Sequence, residues 1–128
     1  MDKDYFIHLP WTTWLLIILV LSLTPGDKIP EIEFTLFEID KVIHFLFYFI
    51  LALLMGFGFY SKKNEPFFKR VVVIIAIGIS IGSLVEVTQG TFVLNRFFDV
   101  FDILANGIGT ITGFIIFEKF CINKLKLW

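Results

Sequence analysis

Apolar residues along the chain fall into four long runs separated by short polar stretches. The first, PWTTWLLIILVLSLT, covers Pro10 to Thr24, with Tyr5 to Leu9 as an interfacial extension. The second, VIHFLFYFILALLMGFGFY, covers Val42 to Tyr60 and is interrupted only by His44. A third runs from Val71 to about Thr88 with Glu86 near its end, and a fourth from about Asp102 to Phe120 with Asp102 and Asn106 near its start. Crossing a hydrocarbon layer of about 30 Å takes about 20 helical residues, fewer where polar ends reach into the interfaces. The pattern therefore predicts one all-α domain over residues 1–128, a four-helix transmembrane bundle with helices at about 10–24, 42–60, 71–88 and 102–120. Pro10 suits a first helical turn, where its missing N–H is harmless. Pro25 and Gly26 close the first span.

Composition narrows the class. Of 128 residues, 57% are hydrophobic and 18% charged, and the mean hydropathy is +0.84. A soluble domain of this size carries about a quarter charged residues and cannot bury this much apolar surface in one core. That excludes a water-soluble enzyme. A single cysteine, Cys121, excludes a disulfide scaffold. The net charge of −1 gives no reason to expect nucleic-acid binding. The first run starts acidic, with Asp2 and Asp4, and no small-residue cleavage site follows it, so it is expected to stay as a helix rather than be removed as a signal peptide.

Loop charge predicts the orientation. Lys3, Lys62, Lys63, Lys69, Arg70, Lys119, Lys124 and Lys126 lie on the side of the termini, and Lys28, Lys41 and Arg96 lie opposite, a division of 8 to 3 among the 11 basic residues. Positive charge stays inside, so both termini are expected in the cytoplasm and the connections 25–41 and 89–100 outside it. Asp40, Lys41, His44, Glu86, Gln89, Arg96, Asp99, Asp102 and Asn106 then all gather at the extracytoplasmic end. At 100° per residue, Asp99, Asp102, Asn106, Gly109 and Gly113 share a stripe about 80° wide. Gly78, Gly82, Glu86 and Gln89 form a similar stripe, and Asp40, His44 and Tyr48 line up on the second span. Gly78-x-x-x-Gly82 and Gly109-x-x-x-Gly113 are small faces that let membrane helices approach closely. The third and fourth spans are expected to pack through them.

Each polar residue also has a plain structural use. Asp40, Asp99 and Asp102 suit N-caps or first-turn acids, and His44 suits a packed, hydrogen-bonded position. Lys62, Lys63, Lys69 and Arg70 serve topology and anionic headgroups. Taken as a set, the cluster points to function, because ionisable groups at membrane depth cost about 2.5–3.5 kcal/mol at a helix centre on insertion scales.

Four segments, SLTPG (22–26), DKVIHFLFYFILALL (40–54), EVTQ (86–89) and RFFDVFDILANGIGTITG (96–113), occur in this order. Together they resemble the VanZ-like family of small bacterial multi-pass membrane proteins. The nine polar residues match the family's polar positions, with Gly107 where Thr is common. The resemblance implies a place in the bacterial cytoplasmic membrane and cell envelope, and a link to resistance against the glycopeptide antibiotic teicoplanin, which is associated with the founding member.

Three functions follow as expectations. In the first, an outer pocket binds or modifies a lipid or lipid-linked headgroup, with Lys41, His44 and Arg96 toward phosphate and Glu86, Gln89, Asp99, Asp102 and Asn106 orienting hydroxyls or one another. In the second, a membrane enzyme uses Glu86 and Asp102 as acid and base, or His44 as base, without a resident cofactor or with a divalent cation held by the acids. The third is a structural or partner-binding bundle. In all three, Arg96 is expected to bridge Glu86 and Asp102.

Overall fold

The computed structural model describes residues 3–28, 36–60 and 66–125. Among these all regular structure is helical, with α1 at Lys3–Ser22, α2 at Leu36–Tyr60, α3 at Phe67–Phe92 and α4 at Val100–Ile116. A 3-10 turn, Gly26–Lys28, follows α1, and a π-helical turn, Phe117–Cys121, extends α4 into the short α5, Ile122–Leu125. Four stretches are long and apolar enough to cross a membrane: Tyr5–Ser22, Ile39–Tyr60, Phe67–Phe92 and Val100–Lys124. Of the charged residues behind the predicted orientation, Asp2, Glu31, Glu33, Lys62, Lys63, Glu65 and Lys126 lie outside the described residues.

The helices exceed the apolar runs at most of their ends. A hydrophobic run stops at the first charge, whereas a helix continues until a breaker or an unfavourable turn, so Asp40 and Lys41 fall inside α2 and Gln89 inside α3. α1 begins seven residues before Pro10, which is therefore interior rather than in the first turn. There it removes one backbone hydrogen bond about two turns from the helix start.

The expected glycine-to-glycine seam is replaced by two different contacts. A Cβ on Gly109 or Gly113 would run into the carbonyl oxygen of Phe45 or Phe49, so α4 lies backbone to backbone on α2. The glycines of α3 receive side chains of α4: Gly78 faces Thr110, and a Cβ on Gly82 would stand 3.0 Å from that of Asn106. Successive helical residues are 100° apart. Gly109 and Thr110 therefore address different neighbours, and α4 sits between α2 and α3 with its glycines toward one and its polar residues toward the other.

Ile18, Tyr48, Leu51, Ala52, Met55, Ile74 and Phe114 form the buried core. α1 is tied to α2 by Trp14 Nε1, which donates to the Phe47 carbonyl at 2.9 Å. Toward the far end, the π-helical turn presents Glu118 to Arg70 of α3, whose Nε and a terminal amino group donate at 3.0 and 3.1 Å to the two carboxylate oxygens. The same guanidinium lies 5.6 Å from the ring centre of Tyr60. Large apolar side chains such as Leu16, Leu84 and Phe120 are exposed all around the bundle, a surface suited to lipid tails.

Candidate functional site

The end of α1, the start of α2, the end of α3 and the start of α4 meet at one end of the bundle. α2 supplies Asp40 and His44, one turn apart on a single face, with Lys41 beside them. Glu86 and Gln89 come from the last turns of α3, and both are buried. Asp99 is the N-cap of α4: its side chain accepts from the Phe101 N–H at 2.8 Å, with Asp102 and Asn106 following on the buried face.

Lys41 is the cation at the centre. Its Nζ lies 2.6 Å from Asp99 Oδ2 and 2.6 Å from Asp102 Oδ1, joining the second helix to the cap and first turn of the fourth. The hydrogen bond from Lys41 holds the Asp99 carboxyl below the ordinary carboxylate range. Asp99 thus performs the plain capping role and a cluster role with different oxygens. Its backbone N–H also donates to Glu86 Oε2 at 3.3 Å.

His44 lies deeper. Its Nδ1 is 3.0 Å from Asn106 Oδ1, while the Asn106 amide nitrogen is directed at the Gly82 carbonyl, 3.5 Å away. With the amide oxygen so oriented, Nδ1 carries a proton and donates it. Nε2 faces three carboxylate oxygens, Asp40 Oδ1, Glu86 Oε1 and Asp102 Oδ2, each at 3.7 Å. Glu86 is fully buried, and its Oε1 has no hydrogen-bond partner. Leaving such a group unsatisfied costs about 1–3 kcal/mol, more when it is charged.

Seven of the nine expected residues are brought together: Asp40, Lys41, His44, Glu86, Asp99, Asp102 and Asn106. Gln89 and Arg96 do different work. Gln89 Nε2 donates to the Ser22 carbonyl at 2.6 Å, and Arg96 Nε to the Thr24 carbonyl at 3.4 Å. They satisfy carbonyls at the C-terminal end of α1, where a helix leaves oxygens unpaired and a cation is favoured. The expected Arg96 bridge between Glu86 and Asp102 is therefore corrected: Arg96 makes no ion pair among the described residues, and Lys41 holds the acids of α4. The reason is local. Asn95 takes a left-handed conformation, φ 57°, which turns the α3–α4 connection toward α1. The Gly26 N–H closes the same contact by donating to the Leu94 carbonyl at 3.0 Å.

Two features escape sequence reasoning. Tyr48 is buried with its hydroxyl unpartnered, although it stands one turn beyond His44 on the face already identified. An apolar groove of about 220 Å³ also opens between α1 and α3, lined by Leu15, Leu19, Leu23, Ile81, Leu84, Val85 and Thr88.

Four membrane-spanning helices closing around a buried polar cluster define a multi-pass α-helical membrane protein. The VanZ/LLP1 family profile matches residues 5–122, nearly the whole chain. The protein belongs to the VanZ-like family. No curated protein and no solved structure matches it.

Proposed function

We propose that this chain is a bacterial cell-envelope protein of VanZ type that binds or modifies a lipid or lipid-linked headgroup at the polar end of its bundle. The observation that carries this reading is Glu86, a fully buried carboxylate with one oxygen unpartnered beside His44. The unpartnered oxygen adds nothing to cohesion between helices, whereas a headgroup hydroxyl or amine would satisfy it. Asp40, its side chain 37% exposed, lies at the mouth of the cluster, and Glu86 lies at its floor. The groove between α1 and α3 suits an acyl chain. The exposed Leu94, Phe97 and Phe98 of the α3–α4 connection suit contact with the membrane surface. Lys41 is engaged by Asp99 and Asp102, so recognition falls to Asp40, His44, Glu86 and Asp102.

In this reading the protein sits in the cytoplasmic membrane with both termini in the cytoplasm and the cluster facing outward. Single cysteines at Glu31 and Ser61, each in a Cys121→Ser background, test the orientation. On intact cells a membrane-impermeant thiol reagent is expected to label the first and spare the second, and the reverse pattern would place the cluster at the cytoplasmic face.

A contribution to teicoplanin resistance belongs to the same reading. In a susceptible host, the wild type is expected to raise the inhibitory concentration of teicoplanin. Glu86→Gln should abolish that rise while membrane abundance, measured by immunoblot, stays within about twofold, as for a substitution that spares packing volume. An undiminished rise at equal abundance counts against the cluster as the site. Loss of abundance in step with the effect would favour a structural bundle instead.

A second reading, a membrane enzyme using Glu86, Asp102 and His44 as acid and base, is favoured by the imidazole being fixed through Asn106 at equal distance from both acids. Enzymes of this kind match proton donors and acceptors by such placement.

A further inference from the structure

The geometry points to a divalent transition-metal site at the polar end, with Asp40, His44 and Asp102 as ligands and Glu86 completing the shell from α3. The ligand atoms of the first three residues lie within 4.8 Å of one another. His44 Nε2 stands 3.7 Å from an oxygen of each of the three acids. That separation is too long for an N–H···O hydrogen bond, which lies at about 2.7–3.2 Å. It is close to the edge of a tetrahedron around an ion with ligand bonds of about 2.0–2.2 Å, whose edges measure about 3.3–3.6 Å. Asp40, His44 and Asp102 therefore converge without a hydrogen bond from Nε2 to either acid, and Glu86 stands at the same distance from Nε2.

Three further observations point to an ion. The Asn106 oxygen accepts from Nδ1, which leaves Nε2 as the ring nitrogen that faces the three carboxylate oxygens. Orienting a histidine through its other nitrogen is also the usual outer-shell device of metal sites. Glu86 Oε1, fully buried and unpartnered, lies 3.7 Å from the same Nε2 and would be satisfied by the ion or by its bound water. Lys41 does not serve this purpose, because its ammonium lies on the other oxygen of Asp102 and on Asp99. One imidazole among carboxylates selects Zn²⁺ or Mn²⁺; Mg²⁺ and Ca²⁺ take all-oxygen shells. Asp40, partly exposed, gives the ion access from the end of the bundle.

The test uses the full chain, purified in detergent with a tag free of histidine and stripped with a chelator. Added Zn²⁺ or Mn²⁺ is expected to bind at one ion per chain by native mass spectrometry and to raise the melting temperature, as a ligand of the folded state must. His44→Ala and Asp102→Asn should lose both effects. Asn106→Ala should bind about 10- to 100-fold more weakly, and His8→Ala should bind as the wild type. The proposal is overturned if neither metal binds, or if His44→Ala binds as well as the wild type. A folding failure of the variants is met on the wild type itself. With ¹⁵N-labelled histidine the chain gives signals from only two imidazoles, His8 and His44. Zn²⁺ is expected to shift Nε2 of His44, and a change confined to His8, or no change, rejects the site. These readouts require no knowledge of the headgroup, so this proposal and the functional one fail separately.

Discussion

Gly109→Leu and Gly113→Leu are each expected to eliminate folded protein, while Gly107→Leu, two residues from Gly109 on the same helix, folds as the wild type. The first two positions have the carbonyl oxygens of Phe45 and Phe49 where a Cβ would stand, and those are backbone atoms of α2 that cannot swing aside. Gly107 has nothing within 4 Å. Leucine is a good helix former, so any loss reports the interhelical clash alone. Overpacking a closely fitted core costs about 1–3 kcal/mol for modest additions, and a whole leucine against backbone exceeds that range by parting the two helices. Monodisperse yield in size-exclusion chromatography and thermal melting in detergent measure it. Comparable behaviour of all three variants would show that α2 and α4 are not in backbone contact.

The second large effect is expected at Lys41. Lys41→Met keeps the stem and removes the ammonium, leaving Asp102, its side chain 6% exposed, and Asp99 without their counter-charge. Breaking a buried ion pair from one side costs about 3–5 kcal/mol, because the partner remains charged and desolvated. The double variant Lys41→Met with Asp102→Asn is expected to recover part of the loss, since one of the crowded carboxylates is then neutral. Melting temperatures of the two single variants, the double and the wild type close the cycle. A double variant no more stable than Lys41→Met would assign the lysine's contribution to its alkyl stem.

The four spans, the buried stripe of Asp102, Asn106, Gly109 and Gly113, and the inward face of His44 and Tyr48 are legible in the sequence because helical periodicity is local. Which stripe meets which helix is not local. Gly109 and Gly113 have the appearance of a partner for Gly78 and Gly82, yet they serve α2. The choice depends on how α4 is rotated, and the small residues alone do not encode that rotation. The choice between Lys41 and Arg96 as the central cation has a similar cause. Both stand at the right depth, and the outcome rests on the left-handed turn at Asn95, which carries Arg96 toward the carbonyls of α1. Pro10 was misleading for a different reason: proline marks first turns statistically, and a helix inside a membrane tolerates one in its interior. The SLTPG segment gains its physical meaning only when the Ser22 and Thr24 carbonyls are seen to be satisfied by Gln89 and Arg96.

The contacts that hold the polar end together also impose an order on biogenesis. Lys41 finds Asp99 58 residues later in the chain, His44 finds Asn106 after 62, and the Ser22 and Thr24 carbonyls wait 67 and 72 residues for Gln89 and Arg96. At about 5–20 residues per second, synthesis leaves Lys41 without its acids for about 3–12 s after it is made. During that interval Lys41 and His44 stand without their partners on α4. The polar end can therefore close only after α4 has been made, however early α2 is in place.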